Sequence, residues 1–422
     1  MDIFIVNRTD WLSIFYWDMN ARKQFTISVL FFAAIALLGL ILRAIPVFQL
    51  PINFKNFLHA HSHVAFLGWL HGAFVSFVSY IFLRDKLQTK TFKFIYWFTI
   101  LNIIGMYFSF PIQGYKLFSI IFLSLFLIGT YFFLYYFFKN KEQAEKYPAT
   151  FKFIKAGLWL QFLSSLSPWS LVFVLKLFGK NSHFYKYDIF YYLHFQYNGW
   201  FLFALFGLSF YLLENRGIHL NQKQVQKIYR LMLIAVFFGY FSNTLWANPG
   251  IIFNILSLIG AIAEIWALFI LLQVLLRYHK YIQSIIDKFS FQIFILVLLT
   301  LFVKAVLQFT GSLQYYADLS FQIRDFIIGY LHLVMLGIFT PFLLILAHEI
   351  GFFSLQKKSF MVFYTGFILT EILIFLRASL IWFGIQFPDE LFSKILFYLT
   401  VILFSGVLMI TRDVLKSQKI ES

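Results

Sequence analysis

The sequence predicts an all-α, polytopic membrane protein with twelve transmembrane helices and both termini in the cytoplasm. Composition, segment length and charge placement carry that prediction. Of 422 residues, 61% are hydrophobic and only 12% charged, with a mean hydropathy of +0.79, whereas soluble domains carry about 25% charged residues. A water-soluble chain cannot bury so much apolar surface, and a disordered one needs far more polarity. The chain has no cysteine, which excludes disulfides, thiolate zinc sites, iron–sulfur clusters and covalently attached c-type haem. The 10 histidines are then the only strong ligands for haem iron or a soft metal.

A helical crossing takes about 20 mostly apolar residues, and twelve runs meet that need. An N-terminal segment, 1–25, carries Asp2, Asp10 and Asp18 and reads as an interfacial stretch rather than a cleaved leader. The transmembrane domain, 26–411, follows with spans at 26–45, 58–82, 94–110, 117–138, 153–175 and 190–213. Its second half has spans at 228–246, 251–275, 291–309, 326–347, 360–383 and 395–410, and a cytoplasmic tail, 412–422, ends the chain. Barrel strands are excluded, because the runs are about twice strand length and do not alternate. Lys and Arg gather in the even-numbered loops, as in Arg84, Lys86, Lys90 and Lys93, and at both ends. That asymmetry places both termini inside. It also accounts for most of the net charge of +16 without a nucleic-acid partner.

Polar residues in a bilayer usually face the bundle interior. Span 2 opens with LHAHSHVAFLGWLHG (His59, His61, His63, His71), span 6 with YYLHFQYNGWF (His194), and span 10 contains GYLHLVMLG (His332). In this topology His61, His194 and His332 share one depth, within about two turns of the outer surface. Successive helix positions turn by about 100°, so His59 and His63 share a face and His61 points away. His71 reads as a packing residue, His183, His219 and His279 as solvated, and His348, beside Glu349, as a cytoplasmic cap. Asn102, Glu264 and Glu371 are polar groups inside spans 3, 8 and 11, read as hydrogen-bonded neutral groups or proton-relay positions.

This layout resembles the catalytic subunit of haem–copper oxidases, and most closely the branch of cbb-type oxidases and nitric oxide reductases. HFQYNGWFLFALFGLSFYLLE in span 6 is similar to the helix that donates a copper ligand there, and HSHVAFLGW to the H-x-H-x-x-x-L-G-W stretches of the superfamily. Two departures stand out. Where span 7 of the family ends in a His pair, this chain has Gly250 and Ile251 after Trp246, Asn248 and Pro249, and Tyr330 replaces the first His of the span 10 H-x-H.

The resemblance implies that the low-spin haem ligands His61 and His332 survive, while His194 alone remains of the binuclear centre. It therefore implies a haem-binding subunit I-like protein with one low-spin haem b, which does not reduce oxygen by the family mechanism and acts in electron transfer, nitric oxide handling or sensing. His63 is an alternative to His61. Arg377, with Lys304 as second candidate, would meet the haem propionates unless it snorkels to the headgroups. Tyr330 would be a hydrogen-bond partner or an iron ligand. His59, His63 and His194 are candidate ligands for copper or zinc. A quinol or membrane redox partner, a small gas ligand and a bacterial cytoplasmic (inner) membrane belong to the same expectation. The other readings are a metal or haem handling factor for a respiratory enzyme, a twelve-span transporter, and an active oxidase or nitric oxide reductase with a rebuilt metal centre.

Overall fold

The computed structural model describes residues 20–218 and 220–419. The expected interfacial stretch up to residue 19, His219 and the last three residues lie outside them. Among the described residues there are helices and no strands. They are α1 (Ala21–Phe48), α2 (Phe54–Phe82), α3 (Lys90–Gln113), α4 (Leu117–Asn140), α5 (Pro148–Phe178), α6 (183–214) and α7 (Gln222–Ala247). After these come α8 (Ile251–Arg277), α9 (His279–Ile285), α10 (Lys288–Thr310), α11 (Gln314–Gln322), α12 (Arg324–Glu349), α13 (Lys357–Trp382) and α14 (Asp389–Lys419).

Eleven of these helices are long and apolar enough to cross a membrane, where the sequence led us to expect twelve. Short α9 and α11 lie outside that set, and so does α6, the helix at the expected sixth span. Its first half, HFYKYDIFYYLHFQYN, mixes aromatic with polar side chains and includes Lys186 and Asp188. Two boundaries also move. Helix α1 begins at Ala21, inside the expected interfacial segment, and α14 continues as helix through the described part of the expected tail.

Side-chain caps set several helix starts. Thr89 accepts from the Phe92 amide at α3, Ser182 from Tyr185 at α6, and Asn221 from Lys223 at α7, each satisfying an otherwise orphaned donor. The Glu214 carboxylate does the same from a distance in sequence, accepting from the Ala149 and Thr150 amides at 2.9 and 3.1 Å at the start of α5. Helix α5 breaks at Ser165, three residues before Pro168, whose ring would clash with the carbonyl four residues back.

The chain divides into two compact units, 20–42 with 51–144, and 43–50 with 145–419. In the first, α1 packs on α2 through Phe32 stacked on Trp69 at 4.7 Å. A Cβ at Gly72 would lie 2.6 Å from Ser28 Oγ. In the second, α7 meets α8 and α13 meets α14 at backbone distance. A Cβ at Gly260 would fall 2.3 Å from the Gly239 nitrogen, and one at Gly406 2.3 Å from the Phe363 backbone. Small residues bring membrane helices close where hydrophobic driving force between helices is weak. Gly406→Ala is therefore expected to cost about 1–3 kcal/mol, seen as a lower thermal midpoint in detergent. Leu408→Ala, on the exposed face of the same helix, should move the midpoint little. Equal midpoints for the two variants would contradict the close approach.

Candidate functional site

Among the described residues, π-helical turns occur at three places: Ala65–His71 in α2, Phe195–Phe201 in α6 and Met335–Phe339 in α12. These are the three helices whose histidines the sequence singled out inside spans. Each turn holds a glycine five residues after a histidine: His63 and Gly68, His194 and Gly199, His332 and Gly337. The extra residue of a π-turn pushes backbone outward, so a neighbouring side chain is met unless the Cβ is missing. Cβ atoms at Gly68, Gly199 and Gly337 would lie 3.0, 3.0 and 2.8 Å from Phe31, Leu160 and Phe367. Such turns are rare in helices and are frequent at functional sites. Across the three segments only the histidine and the glycine recur at this spacing, too little to stand out as a repeat in the sequence.

Within the first unit the two faces of α2 separate as the helical rotation predicts. His61 Nδ1 lies 2.9 Å from the Ile35 carbonyl oxygen. A Cβ at Gly39 would lie 3.1 Å from the same ring. The carbonyl can only accept, so Nδ1 carries the proton and Nε2 is the nitrogen that would coordinate. His63 instead stacks on Phe110 at 4.7 Å and hydrogen-bonds the Tyr115 hydroxyl. His59 meets Tyr115 edge-on. His71 is buried against Phe126, and Asn102 donates to the Phe98 carbonyl of its own helix at 2.7 Å, so both are packing groups.

Within the second unit, His332 and Tyr330 sit in different surroundings. His332 Nδ1 is 3.8 Å from Glu371 Oε1, and Glu371 is buried with neither carboxylate oxygen hydrogen-bonded in the protein. A carboxylate behind an imidazole is the usual support for a metal-ligating histidine. Taken each in its own unit, His61 with its tautomer set by Ile35 and His332 with a buried acid behind it are arranged as metal-ligating imidazoles usually are. The expected propionate partners fit less well. Arg377 binds Asp325 at 3.0 Å and Asp389 at 2.5 Å and lies over the Phe392 ring, so its guanidinium is already engaged. Lys304 neither snorkels nor reaches a headgroup. It is buried, bonded to Glu264 at 2.5 Å and to Gln308 at 2.9 Å. Arg43, which sequence reasoning left unused, lies within electrostatic reach of Asp325, Glu371 and Arg377.

A cavity of about 360 Å³ is lined by residues of α6, α7, α10, α11, α12 and α13. Its wall is mostly apolar and includes the aromatic rings of Trp246, Phe321, Phe326 and Trp382. His194, Asn198, Asn243, Gln308 and Tyr330 form its polar end. His194 Nε2 donates to the Val236 carbonyl at 2.7 Å. Its Nδ1 lone pair receives the amides of Asn198 and Asn243, each at 3.2 Å. The nitrogen a metal would need is thus occupied by two donors. The Tyr330 hydroxyl donates to Gln308 Oε1 at 3.4 Å and is hydrogen-bonded with Tyr197. A buried polar chain therefore runs Glu264, Lys304, Gln308, Tyr330, Tyr197. Sequence reasoning missed Gln308, Asn243 and Tyr197. The spacing of Lys304 and Gln308, one helical turn apart within a span, was the available signal.

At the end of α7, Asn248 is left-handed (φ 52°) and Gly250 has φ 112°. L side chains rarely adopt the Gly250 conformation, so a histidine there, as in the resembled family, would be strained.

The other histidines are peripheral. His183 and His279 are exposed. Asp287, His348 and Glu349 place potential metal-ligand atoms within 4.8 Å of one another, and helix capping accounts for them. Asp287 accepts from the Phe289 and Ser290 amides at the start of α10, and His348 Nε2 lies 3.3 Å from its carboxylate. Partial burial would raise the Asp287 carboxyl, but hydrogen bonds from Ser290 and these amides outweigh it and hold the group below its ordinary range.

Compared with known proteins, the chain matches no protein-family model and no curated protein at a significant level.

Proposed function

We propose that this is a haem-binding integral membrane protein related to the catalytic subunit of haem–copper oxidases and nitric oxide reductases. His61 and His332 are the residues that would hold one low-spin haem b. The observation that carries this reading is that His332 stands against the buried Glu371 carboxyl group, which has no hydrogen bond among the described residues, while the His61 ring is held by the Ile35 carbonyl. Helix α6 is read as the twelfth span. Residues 194–208 are buried throughout, and a crossing helix sheathed by protein needs less apolarity than one facing lipid. An even count and the placement of Lys and Arg support a cytoplasmic side for both termini, and a bacterial cytoplasmic membrane belongs to the same proposal.

A bis-imidazole haem supplies one-electron transfer. The chain's own part is to hold each ring. The Ile35 carbonyl fixes the tautomer of His61, and Glu371 favours electron-rich His332. Oxygen reduction by the family mechanism is outside the proposal. Gly250 and Ile251 supply no imidazoles, and the His194 lone pair is taken by two amides. The cavity beside His194 suits a small neutral ligand such as a dissolved gas, and electrons would come from quinol or a membrane redox partner.

Protein purified from cells supplied with excess haem should give a b-type pyridine haemochrome with about one haem per chain. Preparations that stay free of haem under those conditions would overturn the reading.

A further inference from the structure

We infer that a cationic cleft at the start of α7 is a binding site for the headgroup of an acidic phospholipid, whose acyl chains run along the exposed face of the same helix. The inference is independent of haem.

The cleft, of about 650 Å³, is formed by Lys152 of α5 with Gln222, Lys223, Gln226, Lys227, Arg230 and Leu231 of α7. Among the described residues no carboxylate forms an ion pair with any of its four cations. Lys152 is held in place, its Nζ donating to Gln226 Oε1 at 2.6 Å and lying 5.8 Å from the Tyr229 ring. Lys227 sits 5.2 Å from the ring of Trp266 on α8.

Spacing turns this basic patch into a site for an amphiphile. Lys223, Lys227 and Arg230 recur at four and three residues, which puts them on one helix face. Ile234 and Phe237 continue the same row into the span and are exposed. The buried residues Val225, Ile228, Met232 and Val236 lie on other positions and pack inward. On α8, Ile259, Ile262, Trp266 and Phe269 are also exposed. A ligand that matches both halves has an anionic oxygen-rich head and a long apolar body. Free phosphate would use the cations and leave the apolar row unexplained, whereas a zwitterionic lipid would bring its own cation to four that form no ion pair among the described residues. The positive-inside reading puts this end at the cytoplasmic leaflet, where basic segments gain about 1 kcal/mol per Lys or Arg from anionic lipid.

The test uses the full chain, delipidated in neutral detergent and titrated with dioleoyl-phosphatidylglycerol or dioleoyl-phosphatidylcholine, with bound lipid read by native mass spectrometry. Phosphatidylglycerol should be retained under activation that strips phosphatidylcholine. The combined variant Lys223→Gln, Lys227→Gln, Arg230→Gln should weaken phosphatidylglycerol binding by roughly 100-fold. A control that neutralises Lys90, Lys93 and Lys139 removes equal charge elsewhere and should leave binding unchanged. Equal retention of the two lipids, equal loss in the control, or displacement of phosphatidylglycerol by inorganic phosphate at matched concentration would each overturn the inference. A folding failure of the combined variant is met by Arg230→Gln alone, expected to weaken binding roughly fivefold; an unchanged affinity there counts against the site.

Discussion

His332→Ala is expected to abolish the low-spin haem signal, with most haem lost on purification and any remainder high-spin. The reason is local. His332 is the imidazole of α12 that stands against Glu371, while Tyr330, two residues earlier, lines the cavity and is committed to Gln308 and Tyr197. Tyr330 therefore cannot replace the lost ligand without breaking that network. Glu371→Gln keeps the imidazole and replaces the acid behind it with an amide, and changes to the group supporting a metal-ligating histidine weaken metal-site affinity by roughly 10–100-fold. That variant should release haem sooner than wild type and keep its low-spin bands. His348→Ala, a helix-cap neighbour on the same helix, should leave the spectrum unchanged. Parallel changes at His61 and His63 resolve the ligand on α2. The Ile35 carbonyl contact favours His61, and spectral loss confined to His63→Ala would reassign it. An unaltered low-spin spectrum in His332→Ala would end the axial-ligand proposal.

The second large effect is on stability. Lys304 and Glu264 are 1% and 2% exposed and bonded at 2.5 Å, deep in helices read as spanning the membrane. Two charges out of water persist there only because each answers the other. Lys304→Met leaves the Glu264 carboxylate with no cation, and breaking a buried pair from one side costs about 3–5 kcal/mol. Glu264→Gln should cost similarly, because Gln308 offers the Lys304 ammonium one neutral acceptor where a carboxylate stood. The double variant Glu264→Leu with Lys304→Met removes the imbalance, and such replacements are often neutral or stabilising. Thermal midpoints in detergent should fall steeply for each single variant and recover in the double. A double variant that loses the sum of the two single losses would show that the pair is not energetically coupled.

Much of the architecture could be read without coordinates. Segment length and composition carried the helical membrane class, and heptad-like rotation separated His61 from His59 and His63, because both depend on local periodicity alone. Helix α6 differs: the sequence reading counted it as a span, yet it falls outside the eleven helices apolar enough to cross. Its polarity is tolerated through burial by neighbours, and hydropathy counts residues without knowing what surrounds them.

The site shows the same division. The positions of histidine in the chain singled out α2, α6 and α12 from sequence. What each ring does was decided by partners distant in the chain: Ile35 for His61, Val236 and Asn243 for His194, Glu371 for His332. Lys304 is the clearest case. From sequence it was a cation for propionates or headgroups, and 40 residues away Glu264 turned it into half of a buried pair. A side chain's type sets which bonds it can make, and that is written locally. Which bond it makes depends on the atoms tertiary packing brings within about 3 Å, and helix order along the chain does not specify that.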